Sequence, residues 1–290
     1  MARRTAQTGT LAGLPCFAAG APHAPPLAIL PGLSPEGGIG VGPIARAELG
    51  LAYELAARFR VTWLAPAAAN GGGPPTMAAV AARHAAALRE GFDRPVDVLG
   101  ISTGGSIALQ LAVDHPDVVR RLVLVSAAAR LGAVARAEQR AIGELVRAGE
   151  RRRMFARLLA DLVPGPLPWA RGPRAALHAR LVALARPPLA AAGWAAGPLL
   201  WPDAQLDAMA DLIEAEDGYD VSGRLHEVRA PTLVVHGGRD PYYDEGAFEQ
   251  VARGVARGRL VRFARRGHGT VAADPRFADA VARFLLRQGA

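Results

Sequence analysis

The chain contains no lysine and a single cysteine. One thiol, Cys16, excludes an internal disulfide and any zinc site built on cysteines, and its apolar surroundings predict a packed thiol. Without lysine, all 34 basic side chains are arginine, set against 26 acidic ones for a formal net charge of +8. Alongside the excess of alanine, glycine and proline, this reads as a bias toward GC-rich codons, not as a polyanion-binding surface. The densest basic run, Arg151-Arg152-Arg153, sits among helix formers as a solvated face. It lacks the interleaved aromatic residues that a nucleic-acid groove would carry, so no nucleic-acid partner is expected. No run reaches the roughly 18 uncharged apolar residues that a membrane-spanning helix requires, and no membrane partner is expected. Metal-ligand clusters and dinucleotide fingerprints are also missing. The glycines of 70–73 lack the Lys-Ser/Thr of a phosphate loop, so the expected cofactor complement is none. Arg3-Arg4 ahead of Leu11 to Gly20 superficially resembles an export signal. Pro15 breaks that apolar stretch and no small-residue cleavage site follows, which favours the cytoplasm.

What is present is a globular composition, 51% hydrophobic and 21% charged over 290 residues. That length suffices for one large core with an inserted subdomain. From Leu27 onward, short apolar runs alternate with helical patterns. Strands are predicted at Leu27–Leu30, Val61–Leu64, Val96–Ile101, Leu122–Val125, Thr232–Val235 and Leu260–Phe263. Helices are predicted at Ala45–Phe59, Thr76–Leu88 (capped by Thr76), Gly104–Val113, Glu245–Ala256 and from Asp274 to about Arg287. Short strands apolar on both faces and separated by helices imply a mostly parallel sheet covered on both sides. Thr10 to Gly20 is expected to supply one or two antiparallel edge strands. Between the two halves, residues 131–217 show helical character and no convincing strand. They carry Trp169, Trp194 and Trp201, with prolines at 164, 166, 168, 187, 188, 198 and 202 read as breaks. Such a stretch is too long for a loop. The predicted organisation is therefore a core of residues 1–130 and 218–290 with a helical lid, 131–217, over one end of the sheet.

The sharpest local signal is Gly100-Ile101-Ser102-Thr103-Gly104, a Gly-x-Ser-x-Gly set directly between a strand and a helix. At such an elbow the turn is strained, both glycines are needed for clearance, and the serine hydroxyl projects at a helix N-terminus. A serine hydroxyl is a weak nucleophile until a base takes its proton, so a histidine and an orienting carboxylate must follow. With an acid after a later strand and a histidine near the end, the chain from Leu27 onward resembles the α/β-hydrolase superfamily. That resemblance implies an α/β-hydrolase fold and a triad in the chain order Ser, Asp, His.

Seven histidines compete for the base. The resemblance implies His268, in Arg266-Gly267-His268-Gly269 between the last strand and the last helix; His236 and His84 read as structural. It also implies Asp240, in Gly237-Gly238-Arg239-Asp240-Pro241, as the acid, although a turn cap is the competing role there. Oxyanion donors are expected at the Thr103 N–H and, after the Leu27 strand, at Leu33 or Ser34. Pro31-Gly32 departs here from the His-Gly of many relatives, and Ala65-Pro66-Ala67 departs from their Asp-x-x-Gly-x-Gly. Serine rather than aspartate at the elbow argues against dehalogenase and epoxide-hydrolase chemistry. Ser102-Thr103-Gly104-Gly105 is also similar to cofactor-free haloperoxidases and perhydrolases, whose underlying activity is esterase-like. The resemblance therefore implies an acyl-serine hydrolase of a small or medium hydrophobic ester or lactone, acting as a monomer or homodimer. A C–C bond hydrolase or lyase, or a ligand-binding relative without turnover, is the alternative. Trp169, Trp194 and Trp201 are candidate substrate contacts; docking the lid on the core is their competing role.

Overall fold

A computed structural model describes residues 7–35, 50–66, 75–160, 173–201 and 204–287. Its strands are β1 (Gln7–Leu11), β2 (Leu14–Ala19), β3 (Pro26–Leu30), β4 (Arg60–Leu64), β5 (Val96–Ile101), β6 (Val119–Val125), β7 (Thr232–Gly237) and β8 (Gly258–Phe263). They form one eight-stranded sheet in the order β1-β2-β4-β3-β5-β6-β7-β8. β1 and β2 pair antiparallel at one edge, β2 joins β4 antiparallel, and every pairing from β4 to β8 is parallel. Two antiparallel edge strands are thus present as expected, but they begin at Gln7, three residues ahead of Thr10, and the chain has the α/β-hydrolase fold. β6 begins three residues before its apolar run, because Arg120 and Arg121 sit inside it. Arg120 is accommodated by the buried Asp97 of β5, whose Oδ1 accepts from the Arg120 Nε at 2.8 Å.

Successive residues of a strand point to opposite faces, so the continuous apolar runs fill two cores at once. On one face Leu27, Ile29, Leu99, Val123, Val125, Leu233 and Val235 pack with Phe277 and Val281. On the other, Ala28, Leu30, Val98, Leu122, Leu124 and Val234 pack with the helices α1 (Met77–Gly91) and α2 (Thr103–Asp114). Each fully buried Leu or Val removes apolar area worth about 1.5–3 kcal/mol from water. Thr76 caps α1, its Oγ1 accepting from the Ala79 N–H at 3.2 Å. Of the predicted helix Ala45–Phe59, residues 50–55 are helical and 36–49 lie outside the described set.

Residues 131–217 contain four helices among the described residues: α3 (Ala133–Arg147), α4 (Arg151–Ala160), α5 (Pro173–Leu200) and α6 (Leu206–Asp217). Ile142, Val146, Met154, Phe155, Trp201, Met209 and Ile213 give them a core of their own. Both ends of the stretch emerge together, since Arg130 and Asp220 form an isolated antiparallel bridge and the Val221 N–H donates to the Ala129 carbonyl at 2.9 Å. The prolines read as breaks at 187, 188 and 198 instead lie within α5. Pro187 and Pro188 deprive the carbonyls of Ala183 and Leu184 of their intrahelical donors, and both of those residues are exposed. Two further helices among the described residues are α7 (Glu245–Gly254), capped by Asp244, and α8 (Phe277–Leu285). No helix among the described residues is long and apolar enough to cross a membrane.

One buried histidine of this core makes the fold sensitive to acid. His84 is fully buried on the inner face of α1, with its Nδ1 2.9 Å from the Val80 carbonyl. Burial is the main cause lowering its pKa from the ordinary 6.5 to about 4. The unfolded chain therefore binds a proton here that the folded chain refuses. The contribution of this group is expected to be full above pH 6.5 and to be lost as pH falls toward 4, by about 3 kcal/mol in all at ~1.4 kcal/mol per unit. Urea unfolding of wild type and His84→Leu at pH 7, 5.5 and 4.5 checks this. The variant is expected to show the shallower acid decline, and parallel profiles would rule the attribution out.

Candidate active site

The elbow is built by close approach. Ser102 joins β5 to α2 with φ 52° and ψ −121°, a left-handed conformation costing a non-glycine residue on the order of 1–3 kcal/mol. A Cβ on Gly100 would lie 2.3 Å from the Gly104 carbonyl oxygen. One on Gly104 would lie 2.1 Å from the carbonyl oxygen of Leu30. The second clash shows that the loop after β3, where Leu33 sits, runs directly against the elbow. Strain and clearance together lift the hydroxyl off the sheet to the start of α2, where the first N–H groups of a helix have no intrahelical acceptor.

His268 meets that hydroxyl. Its Nε2 lies 2.9 Å from Ser102 Oγ, and its Nδ1 lies 2.8 Å from Asp240 Oδ2. Because a carboxylate only accepts, Nδ1 carries the proton and Nε2 is left to accept from serine. The His268 loop is fixed twice. Ser126 Oγ at the end of β6 donates to the His268 carbonyl at 3.0 Å, and the Gly267 N–H donates to Thr270 Oγ1 at 2.9 Å. The acid loop is tied to it in turn, with the Arg239 N–H donating to the Arg266 carbonyl at 2.9 Å.

Asp240 makes the contacts of both roles that its sequence offered as alternatives. Its Oδ2 faces histidine, while its Oδ1 accepts from the N–H groups of Tyr242 at 2.9 Å and Tyr243 at 3.3 Å. The same turn walls in the imidazole: the Tyr242 ring stands edge-on to His268 at 4.9 Å, and the Tyr243 ring lies nearly parallel to it at 6.1 Å. His84 and His236 are buried away from this relay, His236 stacking on Phe248 at 4.5 Å.

Thr103, the first residue of α2, is buried. Leu33 is half-buried and packs against both the main core and the cluster of helices α3 to α6, and the neighbouring Pro35 carbonyl accepts from the Gln205 N–H at 2.8 Å. The tryptophans divide. Trp201 is 1% exposed and stacks on Phe155 at 5.2 Å, so its ring is taken up in packing this cluster. Trp194 is 52% exposed, with the Arg152 guanidinium 4.8 Å above its ring. Trp169 lies outside the described residues. Among the described residues, no group of three or more His, Cys, Asp or Glu is placed to hold a metal ion.

One carboxylate of the site escaped sequence reasoning. Glu216, 1% exposed at the end of α6, accepts from Thr103 Oγ1 at 2.7 Å and Gln139 Nε2 at 3.0 Å through Oε2, and from Ser106 Oγ at 2.7 Å through Oε1. Burial pushes its pKa above the ordinary glutamate value; the three donors and the charge of His268 pull the other way. A signal for it existed, since Met209, Ile213 and Glu216 share one face of α6 at i, i+4, i+7 spacing, which sets an acid on a buried stripe.

A strained serine elbow, a histidine against it and a buried aspartate behind, carried on this sheet, define an α/β hydrolase. The family model described as serine aminopeptidase, S33, matches residues 77–274, a span that includes Ser102, Asp240 and His268. The chain belongs to that family. A pimeloyl-[acyl-carrier protein] methyl ester esterase of Neisseria meningitidis is 29% identical over 184 residues, 61% of this chain and 64% of the relative. The chain thus spans less than two thirds of that relative's length. Among solved structures, a hydrolase from Pseudomonas aeruginosa superposes with a TM-score of 0.69 at 22% identity, covering 99% of each chain. The enol-lactonase from Burkholderia xenovorans superposes with a TM-score of 0.69 at 17% identity, covering 97% of this chain and all of that one. At such identities the structural likeness carries the fold.

Proposed function

We propose that the protein hydrolyses a small or medium hydrophobic carboxylic ester or lactone through an acyl-serine intermediate on Ser102. The observation that carries this is the continuous relay Asp240–His268–Ser102, with hydrogen-bond distances of 2.8 and 2.9 Å. In the proposed reaction His268 Nε2 takes the Ser102 proton as Oγ bonds to the substrate carbonyl carbon. Asp240 holds the imidazole in the accepting tautomer and stabilises its charged form. The N–H groups of Thr103 and Leu33 receive the oxyanion, each worth about 3–4 kcal/mol to the transition state. His268 then returns the proton to the leaving oxygen, and the acyl-serine is hydrolysed by the reverse sequence with water in place of the alcohol. The ester and lactone substrates in the names of the similar proteins support this substrate class.

Residues 131–217 are proposed to be the lid, a reading supported by their separate core and paired exits. Trp194 remains the proposed lid aromatic open to an apolar substrate group. The reading includes a small-molecule substrate and cytoplasmic work as a monomer or homodimer.

The test is intact-mass analysis after incubation with a fluorophosphonate probe, paired with turnover of p-nitrophenyl esters and lactones of increasing chain length and of amino-acid p-nitroanilides. A single adduct, absent from Ser102→Ala, together with ester or lactone turnover is expected. An unlabelled folded protein, or one that cleaves only the anilides, would overturn the reading.

A further inference from the structure

Glu216 occupies a position that packing alone does not explain. A buried carboxyl costs stability unless it is fully hydrogen-bonded, and an apolar side chain at this point of the α6 stripe would avoid that cost. The residue nevertheless sits on three donors, each from a place that matters to the proposed reaction. Thr103 carries the expected oxyanion N–H immediately after the nucleophile. Ser106 lies one turn further along α2, on the same helix face. Gln139 comes from α3, the first helix of the insertion, whereas Glu216 itself ends α6, the last. Both ends of the insertion therefore reach the first turn of the nucleophile helix through one side chain.

We propose that Glu216 is a positioning residue for the oxyanion-binding turn. Its two oxygens hold Thr103 and Ser106 in register and fix the first and last helices of the insertion against α2. The assignment rests on the hydrolase reading above, because only a reacting oxyanion makes the orientation of the Thr103 N–H matter. Thr103 is joined to Glu216 through its hydroxyl at 2.7 Å, so a shift of the carboxylate turns the residue whose amide faces the substrate. The effect belongs to the transition state, in which the oxyanion forms, and not to ground-state binding. Glutamine preserves the geometry: its carbonyl oxygen accepts from Thr103 and Gln139, while its amide donates to Ser106 Oγ. Leucine, of similar size, leaves all three donors unmet.

The experiment compares Glu216→Leu and Glu216→Gln with wild type in kcat and KM for the best ester of the panel. Glu216→Leu is expected to lower kcat about 30-fold with KM within about twofold. Glu216→Gln is expected to recover most of that loss. A leucine variant with wild-type kcat, a change confined to KM, or a glutamine variant as poor as leucine each overturns the positioning role. If Glu216→Leu does not fold, Thr103→Val removes the same hydrogen bond from the other side. It is expected to lower kcat about tenfold at unchanged KM, and an unchanged kcat overturns the proposal. Failure of the parent reading looks different: the wild-type protein itself then turns over no ester and takes no probe.

Discussion

Replacing Ser102 with alanine is expected to lower kcat about a million-fold for any ester that the wild type cleaves, while the protein stays folded. Alanine deletes the only atom in the relay that bonds to substrate and leaves the His268–Asp240 pair intact. Residual rate over water then comes from oxyanion stabilisation and binding alone. The same position carries a second, opposite expectation. Ser102 holds φ 52°, which glycine adopts without the steric cost that any side chain meets. Ser102→Gly should therefore be as inactive as Ser102→Ala yet more stable than it by about 1 kcal/mol. Steady-state assays and urea unfolding of the two variants measure both quantities. An alanine variant retaining more than about a thousandth of the activity would remove Ser102 from the nucleophile's place.

Both expectations could be framed from sequence because the elbow is local chemistry. A strand, two glycines around a serine and a helix announce a strained turn in five consecutive residues. His268 was singled out by the family resemblance, with Gly267 and Gly269 giving its loop room to bend toward the serine. The strands read well because burial on both faces leaves uninterrupted apolar runs. Where a charge is accommodated inside a strand, as Arg120 is by Asp97, the run shortens and the boundary was misplaced. Helix α5 failed in the opposite sense: its prolines lie inside one helix, and the carbonyl that Pro198 frees, that of Trp194, accepts instead from Arg152 Nη1 at 2.9 Å. The least legible parts join distant segments. Ser126 on the His268 carbonyl and the Tyr242 and Tyr243 rings around the imidazole depend on how separate loops meet. Glu216 belongs with them, because three donors from two elements converge on it only in the folded chain. For the tryptophans, the sequence did not separate a packed ring at Trp201 from an exposed one at Trp194.

Asp240 shows most directly how the site's geometry decides a mutational outcome. In Asp240→Asn, one side-chain position must still be an oxygen, because the N–H groups of Tyr242 and Tyr243 point at it from 2.9 and 3.3 Å. The asparagine amide is thereby turned toward His268, where it can only donate. Nδ1 must then accept, the ring proton moves to Nε2, and the nitrogen facing Ser102 no longer takes its proton. The expected result is a fall in kcat of about ten-thousand-fold with little change in KM. The rate of fluorophosphonate labelling should fall in parallel, since it needs the same activated serine. Asp240→Ala also loses the orienting carboxylate but does not enforce the wrong tautomer, so asparagine should be the poorer of the two despite being the closer isostere. Kinetics on both variants, with circular dichroism to establish folding, give the comparison. If asparagine retained more than a tenth of wild-type kcat, the orienting role would pass to another carboxylate.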